Sequence, residues 1–214
     1  MDRHELETVL GLLESRYGKG LKTQLHHRNT TELFVAVLLS PQCADAQVNK
    51  VTPALFRRYR TMQDYADADL RELMRYVKGI NYYKTKARNL RSAAQRIVRD
   101  FSGKVPRNME DLMSLQGVGR KVANVILTEG YGISEGIAID THCITVSRRL
   151  KLLRSSDPAR IEGYLMKRLP RSRWRAVSNL FIELGRDTCT ARRKFCGECV
   201  LKRICPSSDA GVAT

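Results

Sequence analysis

Leu115-Gln116-Gly117-Val118-Gly119-Arg120-Lys121 joins two stretches whose apolar residues recur at helical spacing, Met109 to Leu115 and Arg120 to Glu129. Two glycines around one valine permit a tight turn and leave backbone N–H groups unpaired at the start of the second helix. Such a helix start attracts phosphate oxygens through free donors and the helix dipole, with no base information needed. Gly-Val-Gly alone also suits a plain helix-helix turn, and Leu112, Leu115, Val122 and Val125 would form the hairpin core in either case. Charge weighs between the two readings. The 214 residues include 38 Lys and Arg against 22 Asp and Glu, for a formal charge of +16 and a pI near 9.9. That balance favours a polyanionic partner, nucleic acid foremost, over a neutral metabolite.

Outward from the hairpin, apolar residues keep recurring at three and four, as in Leu6, Val9, Leu10 and Leu13, and period-two alternation is scarce. The chain therefore reads as all-α. Helical pattern covers Asp2 to Arg16, Thr31 to Leu39, Ala46 to Tyr59, Ala68 to Lys78, Tyr83 to Phe101, Met109 to Leu115, Arg120 to Glu129, Thr141 to Leu150, Pro158 to Leu169 and Arg173 to Leu184. Asp157-Pro158 reads as an N-cap followed by proline at the first helical position, Asn108 as a second N-cap, and Pro41, Pro106 and Pro170 as stops. The small, polar tail after Pro206 reads as frayed. At 43% hydrophobic residues the chain is rich enough to bury a core in one large or two small domains. Its first residues lack the pattern of a signal peptide, and no run approaches the roughly 18 apolar residues of a membrane span. The expected setting is the reducing cytoplasm, at the nucleoid.

Cys189, Cys196, Cys199 and Cys205 crowd the C-terminal end, within a segment where residues 140–214 carry sixteen positive and seven negative charges. In a reducing compartment, thiols this close point to a metal group rather than to disulfides. Structural zinc usually takes two short Cys-x-x-Cys knuckles across a longer gap, whereas here one knuckle is flanked by single cysteines. The spacing thus favours iron-sulfur and leaves zinc as the alternative. Cys43 and Cys143 fall outside it and read as small core residues.

The Leu-Gln-Gly-Val-Gly-Arg-Lys hairpin, Asp140-Thr141-His142 about twenty residues on, and the terminal cysteine loop together resemble the endonuclease III family of helix-hairpin-helix DNA glycosylases. The likeness spans nearly the whole chain, including Ser40-Pro41-Gln42 and Val48-Asn49-Lys50. It implies a six-helix barrel domain over residues 23–134 and a cluster domain of residues 1–22 with 135–214, the active cleft lying between them. It also implies a bifunctional DNA glycosylase and AP lyase that excises oxidised pyrimidines from damaged double-stranded DNA. The four cysteines would hold a 4Fe-4S cluster, and the enzyme would be a monomer, with no nucleotide cofactor and no membrane.

Carried over residue by residue, the resemblance makes Lys121 the amine nucleophile and Asp140 the catalytic carboxylate. An ordinary lysine with a pKa near 10.4 is only about 0.1% neutral at neutral pH. The helix start, the neighbouring Arg120 and burial in an apolar cleft would all favour the neutral amine. Read without the family, Lys121 is a surface lysine and Asp140 a helix N-cap. Gln42 and Tyr82 are the expected fillers of the gap a flipped nucleotide leaves, with Tyr83 packed in the core. His142 would line the base pocket, orient Asp140 or cap its helix. Gly117, Gly119 and Arg120 would grip phosphate, and Arg192, Arg193 and Lys194 would form a basic loop held against DNA by the cluster.

Three departures from the family pattern touch grip more than catalysis. Gln116 replaces a proline, Asn81 stands where glycine is common, which is tolerable if the backbone is left-handed there, and Thr145 stands where arginine is expected. Two rival readings stay open. An adenine or mismatch glycosylase on the same scaffold would lack the attacking lysine, and the adenine enzymes carry a glutamate near Ser40 to Asp45, where this chain has none. A noncatalytic DNA-binding module would carry zinc in its tail.

Overall fold

The computed structural model describes residues 1–210. Among them the chain forms α1 (Arg3–Tyr17), α2 (Thr30–Leu39), α3 (Asp45–Arg58), α4 (Met62–Asp67), α5 (Leu70–Tyr76), α6 (Tyr83–Phe101), α7 (Met109–Met113), α8 (Arg120–Val125), α9 (Thr141–Arg149), α10 (Pro158–Arg168) and α11 (Trp174–Arg186). A π-helical turn, Ile126–Gly130, continues α8. The fold is all-α. The β pairing among the described residues is an isolated bridge between Cys189 and Lys194. No described helix is long and apolar enough to cross a membrane.

Two compact units divide the chain, residues 23–135 in one and residues 1–22 with 136–214 in the other. In the first, α2 is buried from Glu32 through Leu39, the mark of a helix enclosed on all sides. Each of its large apolar side chains gains about 1.5–3 kcal/mol from burial. Its one buried charge, Glu32, is matched: Arg28 clamps the carboxylate with Nη2 at 2.6 Å and Nε at 3.0 Å, and its own N–H adds a bond of 2.8 Å. Around α2 pack α3, α6, α8 and the π turn, while α4 lies along α6.

The helix α4 is a correction to the sequence reading, which had no element there. It is held by a capping box, Thr61 accepting from the Asp64 N–H and Asp64 from the Thr61 N–H. Likewise the pattern from Ala68 to Lys78 contracts to α5, because Asp69 is spent as its N-cap.

The second unit is assembled from both ends of the chain. Leu6, Val9, Leu10 and Leu13 of α1 are fully buried with Val146, Ile161, Leu165, Val177 and Phe181. Arg173 ties α1 to the start of α11, reaching Glu14 at 2.6 Å and Glu7 at 3.0 Å. The tail is anchored as far as Ala210: Ser208 N–H donates to the Cys205 carbonyl, and Asp209 pairs with Lys194 at 3.1 Å. The rest of the segment expected to fray, residues 211–214, lies outside the described residues.

Where α9 and α11 meet, glycine is obligatory. A Cβ on Gly185 would stand 2.6 Å from the His142 Cβ, an atom fixed to the backbone of α9. Gly185→Ala should therefore force the helices apart and destabilise the protein by about 1–3 kcal/mol in urea unfolding. An unchanged midpoint would mean that the two helices yield without cost.

Candidate active site

In the residue 23–135 unit, the hairpin forms from α7, Leu115 to Gly119, and α8. Arg96 of α6 donates to the Ser114 carbonyl at 2.6 Å, and the Val118 N–H closes the turn onto Leu115 at 3.1 Å. Gly117 has φ +83, and a Cβ there would lie 2.8 Å from the Asn89 amide, so both conformation and space require glycine. Gly119 caps α8 with no side chain, and its surroundings are open. A helix start of this kind directs its first backbone N–H groups outward, where they attract anions. Leu112, Leu115 and Val122 are buried as expected.

Lys121 is the second residue of α8 and is exposed, while Val122, Ala123 and Asn124 turn inward. The chain's own packing does not bury it. The π turn that follows shifts the hydrogen-bond register at Ile126–Gly130, a feature often found at functional sites.

In the other unit, Asp140 is the N-cap of α9, and its Oδ1 accepts from the Cys143 N–H at 2.8 Å. The approach to it is fixed by polar groups within the core. Buried Glu162 accepts from the Ile137 N–H at 3.0 Å, and the Ser178 hydroxyl donates to the Ala138 carbonyl at 2.7 Å. Asp140 is half-buried, delivered by an anchored segment, with one carboxylate oxygen engaged in the cap. His142 packs against Gly185.

Two further turns lie in the first unit. Gln42, just after α2, and Tyr82, at the N-cap of α6, are both exposed, Tyr82 by 67%, and both are left-handed, with φ +55 and +56. For residues with a Cβ such backbones cost roughly 1–2 kcal/mol each. The backbone at Asn81 is not left-handed, so asparagine in place of glycine meets no strain there; Tyr82 beside it is the left-handed residue. The Asn81 amide instead donates to the Gln42 carbonyl at 2.7 Å, and Gln47 donates to the Gly79 carbonyl at 3.0 Å. Beneath them Lys86, only 7% exposed, donates to the carbonyls of Leu39 at 2.8 Å and Pro41 at 2.6 Å. Burial pushes its ammonium pKa down. Tyr83 is half-buried against the core.

Cys189, Cys196, Cys199 and Cys205 line one cavity of about 310 Å³, measured with its open mouth, together with Arg149, Lys194 and Lys202. Burial first, then the neighbouring thiols, pushes Cys199 and Cys205 up from the usual thiol range. Among the described residues no three His, Cys, Asp or Glu side chains converge as ligands of a single ion. Thr145 bonds back to the Thr141 carbonyl at 2.9 Å, and the guanidinium facing the thiols belongs to Arg149, whose Nη1 donates to Cys189 Sγ at 3.1 Å. In the basic loop Arg192 is exposed and Arg193 lies 4.7 Å from the Phe195 ring centroid. Lys194 turns toward the cavity rim, bonding the Ser207 carbonyl at 2.9 Å. Cys143 is fully buried and Cys43 half-buried against the core.

Sequence reasoning missed Lys86 and Arg149. Each sits in a basic stretch where composition gives no hint of which cation is drawn inward.

Residues 35–171 match the model of the HhH-GPD superfamily base excision DNA repair proteins. The chain is 42% identical to endonuclease III of Synechocystis sp. over 202 residues, 94% of this chain and 92% of that one. It is 41% identical to endonuclease III of Bacillus subtilis, across 85% and 83% of the two chains. It superposes with a TM-score of 0.91, at 37% identity over 97% of both chains, on an endonuclease III trapped as a covalent intermediate with DNA. A thermostable thymine-DNA glycosylase shares the fold at a TM-score of 0.83 with 17% identity. With hairpin, aspartate and cysteine cavity each built from residues of its own, the chain belongs to the endonuclease III family of helix-hairpin-helix base excision repair proteins.

Proposed function

We propose that this chain is a bifunctional DNA glycosylase and AP lyase of base excision repair, with oxidised pyrimidines in duplex DNA as its substrates. The observation that carries the reading is an exposed lysine, Lys121, in the first turn of the helix behind the Gly117–Gly119 hairpin. The hairpin grips phosphate through backbone N–H groups, and the +16 charge draws the protein to the duplex. Arg192 and Arg193 add exposed cations for the same backbone.

In the proposed reaction the Lys121 Nζ lone pair attacks C1′ of an extruded nucleotide. The glycosidic bond breaks, and the base leaves with its electron pair and takes up a proton. Asp140 stabilises the cationic sugar and accepts a proton from the lysine. The C1′–O4′ bond then breaks, O4′ leaving with its electron pair and taking up a proton, and the opened aminal is a Schiff base that acidifies C2′. Loss of the C2′ proton expels the 3′ phosphate by β-elimination, and water then releases Lys121.

The donor set fits an iron-sulfur group. Four thiols line one cavity, and Arg149, Lys194 and Lys202 beside them offset the negative charge of four thiolates. Cys189, Cys196, Cys199 and Cys205 would hold a 4Fe-4S cluster, which supplies a rigid four-way cross-link beside the basic loop. The purified protein should be brown and hold about four iron atoms per chain, and Cys199→Ser should lose them. One equivalent of zinc in a colourless protein would replace this assignment. The enzyme is proposed to act as a cytoplasmic monomer at the nucleoid.

The test of the whole reading is borohydride trapping on duplexes bearing thymine glycol or an abasic site. A covalent adduct on both is expected. Base release without an adduct would make the protein monofunctional, and neither activity would leave a noncatalytic DNA binder.

A further inference from the structure

Lys86 is a buried ammonium whose partners are carbonyls. It rises from the second turn of α6 to the end of α2, whose last turn contains no basic residue. There it bonds the carbonyls of Leu39 and Pro41. The negative end of the α2 dipole is thus met by a cation supplied from another helix. Directly after this corner the backbone turns left-handed at Gln42, and the Gln42 carbonyl is held in turn by the Asn81 amide. Asn81 belongs to the turn that leads into left-handed Tyr82, and Gln47 ties that turn at Gly79. Two exposed side chains on strained backbone therefore share one cross-linked base, and Lys86 is its buried post.

An exposed residue gains no packing energy to offset a left-handed backbone, so the surrounding bonds must over-determine it. A platform of this kind suits a load that arrives later. Resting on the reading of Gln42 and Tyr82 as the side chains that fill the gap left by an extruded nucleotide, we propose that Lys86 and Asn81 are positioning residues. They lock the Leu39–Gln42 corner to the Gly79–Tyr82 turn, so that both fillers are presented together before DNA binds. Ordering both turns only upon binding would subtract their conformational entropy from every extrusion event. The lock removes that loss at the step where base stacking is broken. Neither residue touches the reacting sugar in this scheme.

The test compares two duplexes carrying an abasic site, one fully paired and one with the site inside a bubble of mismatches, where nothing remains to unstack. Single-turnover trapping by borohydride is measured for Lys86→Met, Asn81→Ala, the double variant Gln42→Ala/Tyr82→Ala, and its combination with Lys86→Met. On the paired duplex Lys86→Met should slow trapping about tenfold and Asn81→Ala about threefold, while on the bubble both should stay within about twofold of the parent. Added to the double variant, Lys86→Met should cost nothing more. Equal losses on both duplexes would show a merely structural lysine and overturn the proposal. Losses in the double variant with none in Lys86→Met or Asn81→Ala would also overturn it, leaving the gap-filling reading intact. A double variant that loses nothing on the paired duplex would remove the gap-filling reading itself. Should Lys86→Met fail to fold, Asn81→Ala decides alone, because Asn81 is exposed and loses a single bond.

Discussion

Lys121→Gln should reduce borohydride trapping by at least about 1000-fold, to the background of the assay, while DNA binding persists. A carboxamide nitrogen has its lone pair delocalised into the carbonyl and forms no Schiff base, so the adduct has no route. The variant should fold normally. Lys121 is exposed, and surface changes of this kind stay within about 0.5 kcal/mol. Binding should weaken only by the loss of one cation near phosphate, and the salt dependence of affinity should flatten by about one unit of slope at most. Arg120→Gln gives the contrast. It removes a neighbouring charge of the same helix turn, yet should leave a trappable enzyme, so that loss of charge and loss of nucleophile are read separately. Full trapping by Lys121→Gln would place the amine elsewhere in the chain and remove the mechanism's central residue.

Most of the fold is legible because α-helices announce themselves by periodicity and caps. The long helices fall within one or two residues of the reading, as at Tyr83–Phe101, where pattern and structure coincide. Short helices carry too few turns to establish a period. Of the six residues of α4, Met62, Tyr65 and Ala66 are buried, and the one usable signal was Thr61 followed three residues later by Asp64. The π turn was illegible for another reason: widening the hydrogen-bond register at Ile126 leaves the spacing of apolar residues helical.

The site divides in the same way. Four cysteines within seventeen residues are forced together by chain length, so sequence suffices to read them as one group. Which lysine of Lys84 and Lys86 is buried depends on where α2 ends in space, and Arg149 is separated from Arg148 only by the face of α9 that the cavity meets. Local spacing carries neither fact. Left-handed Gln42 and Tyr82 are invisible for a related cause, since nothing in either residue type favours that backbone and only the tertiary bonds around them impose it.

Asp140→Asn should separate chemistry from structure. Asparagine caps a helix as well as aspartate does, so the bond from the Cys143 N–H survives and the thermal midpoint should not move. The negative charge and the proton acceptor are lost, and excision of thymine glycol should slow by about 100- to 10,000-fold. Trapping on a preformed abasic site should slow much less, because no base has to be expelled and the sugar need not pass through a cationic state. Asp140→Ala then isolates the cap. It should repeat the catalytic loss and also lower stability by about 1 kcal/mol, or about 2–4 °C for a chain of this size. If Asp140→Asn excises thymine glycol at the parental rate, the aspartate is a helix cap only, and the carboxylate that assists the departing base has to be sought among other residues. If it fails equally on both substrates, Asp140 acts chiefly as the proton acceptor for Lys121, since of its two roles that one alone serves both. A loss confined to base excision assigns it to the cationic sugar, the role that electrostatics favours for a half-buried carboxylate at a fixed position.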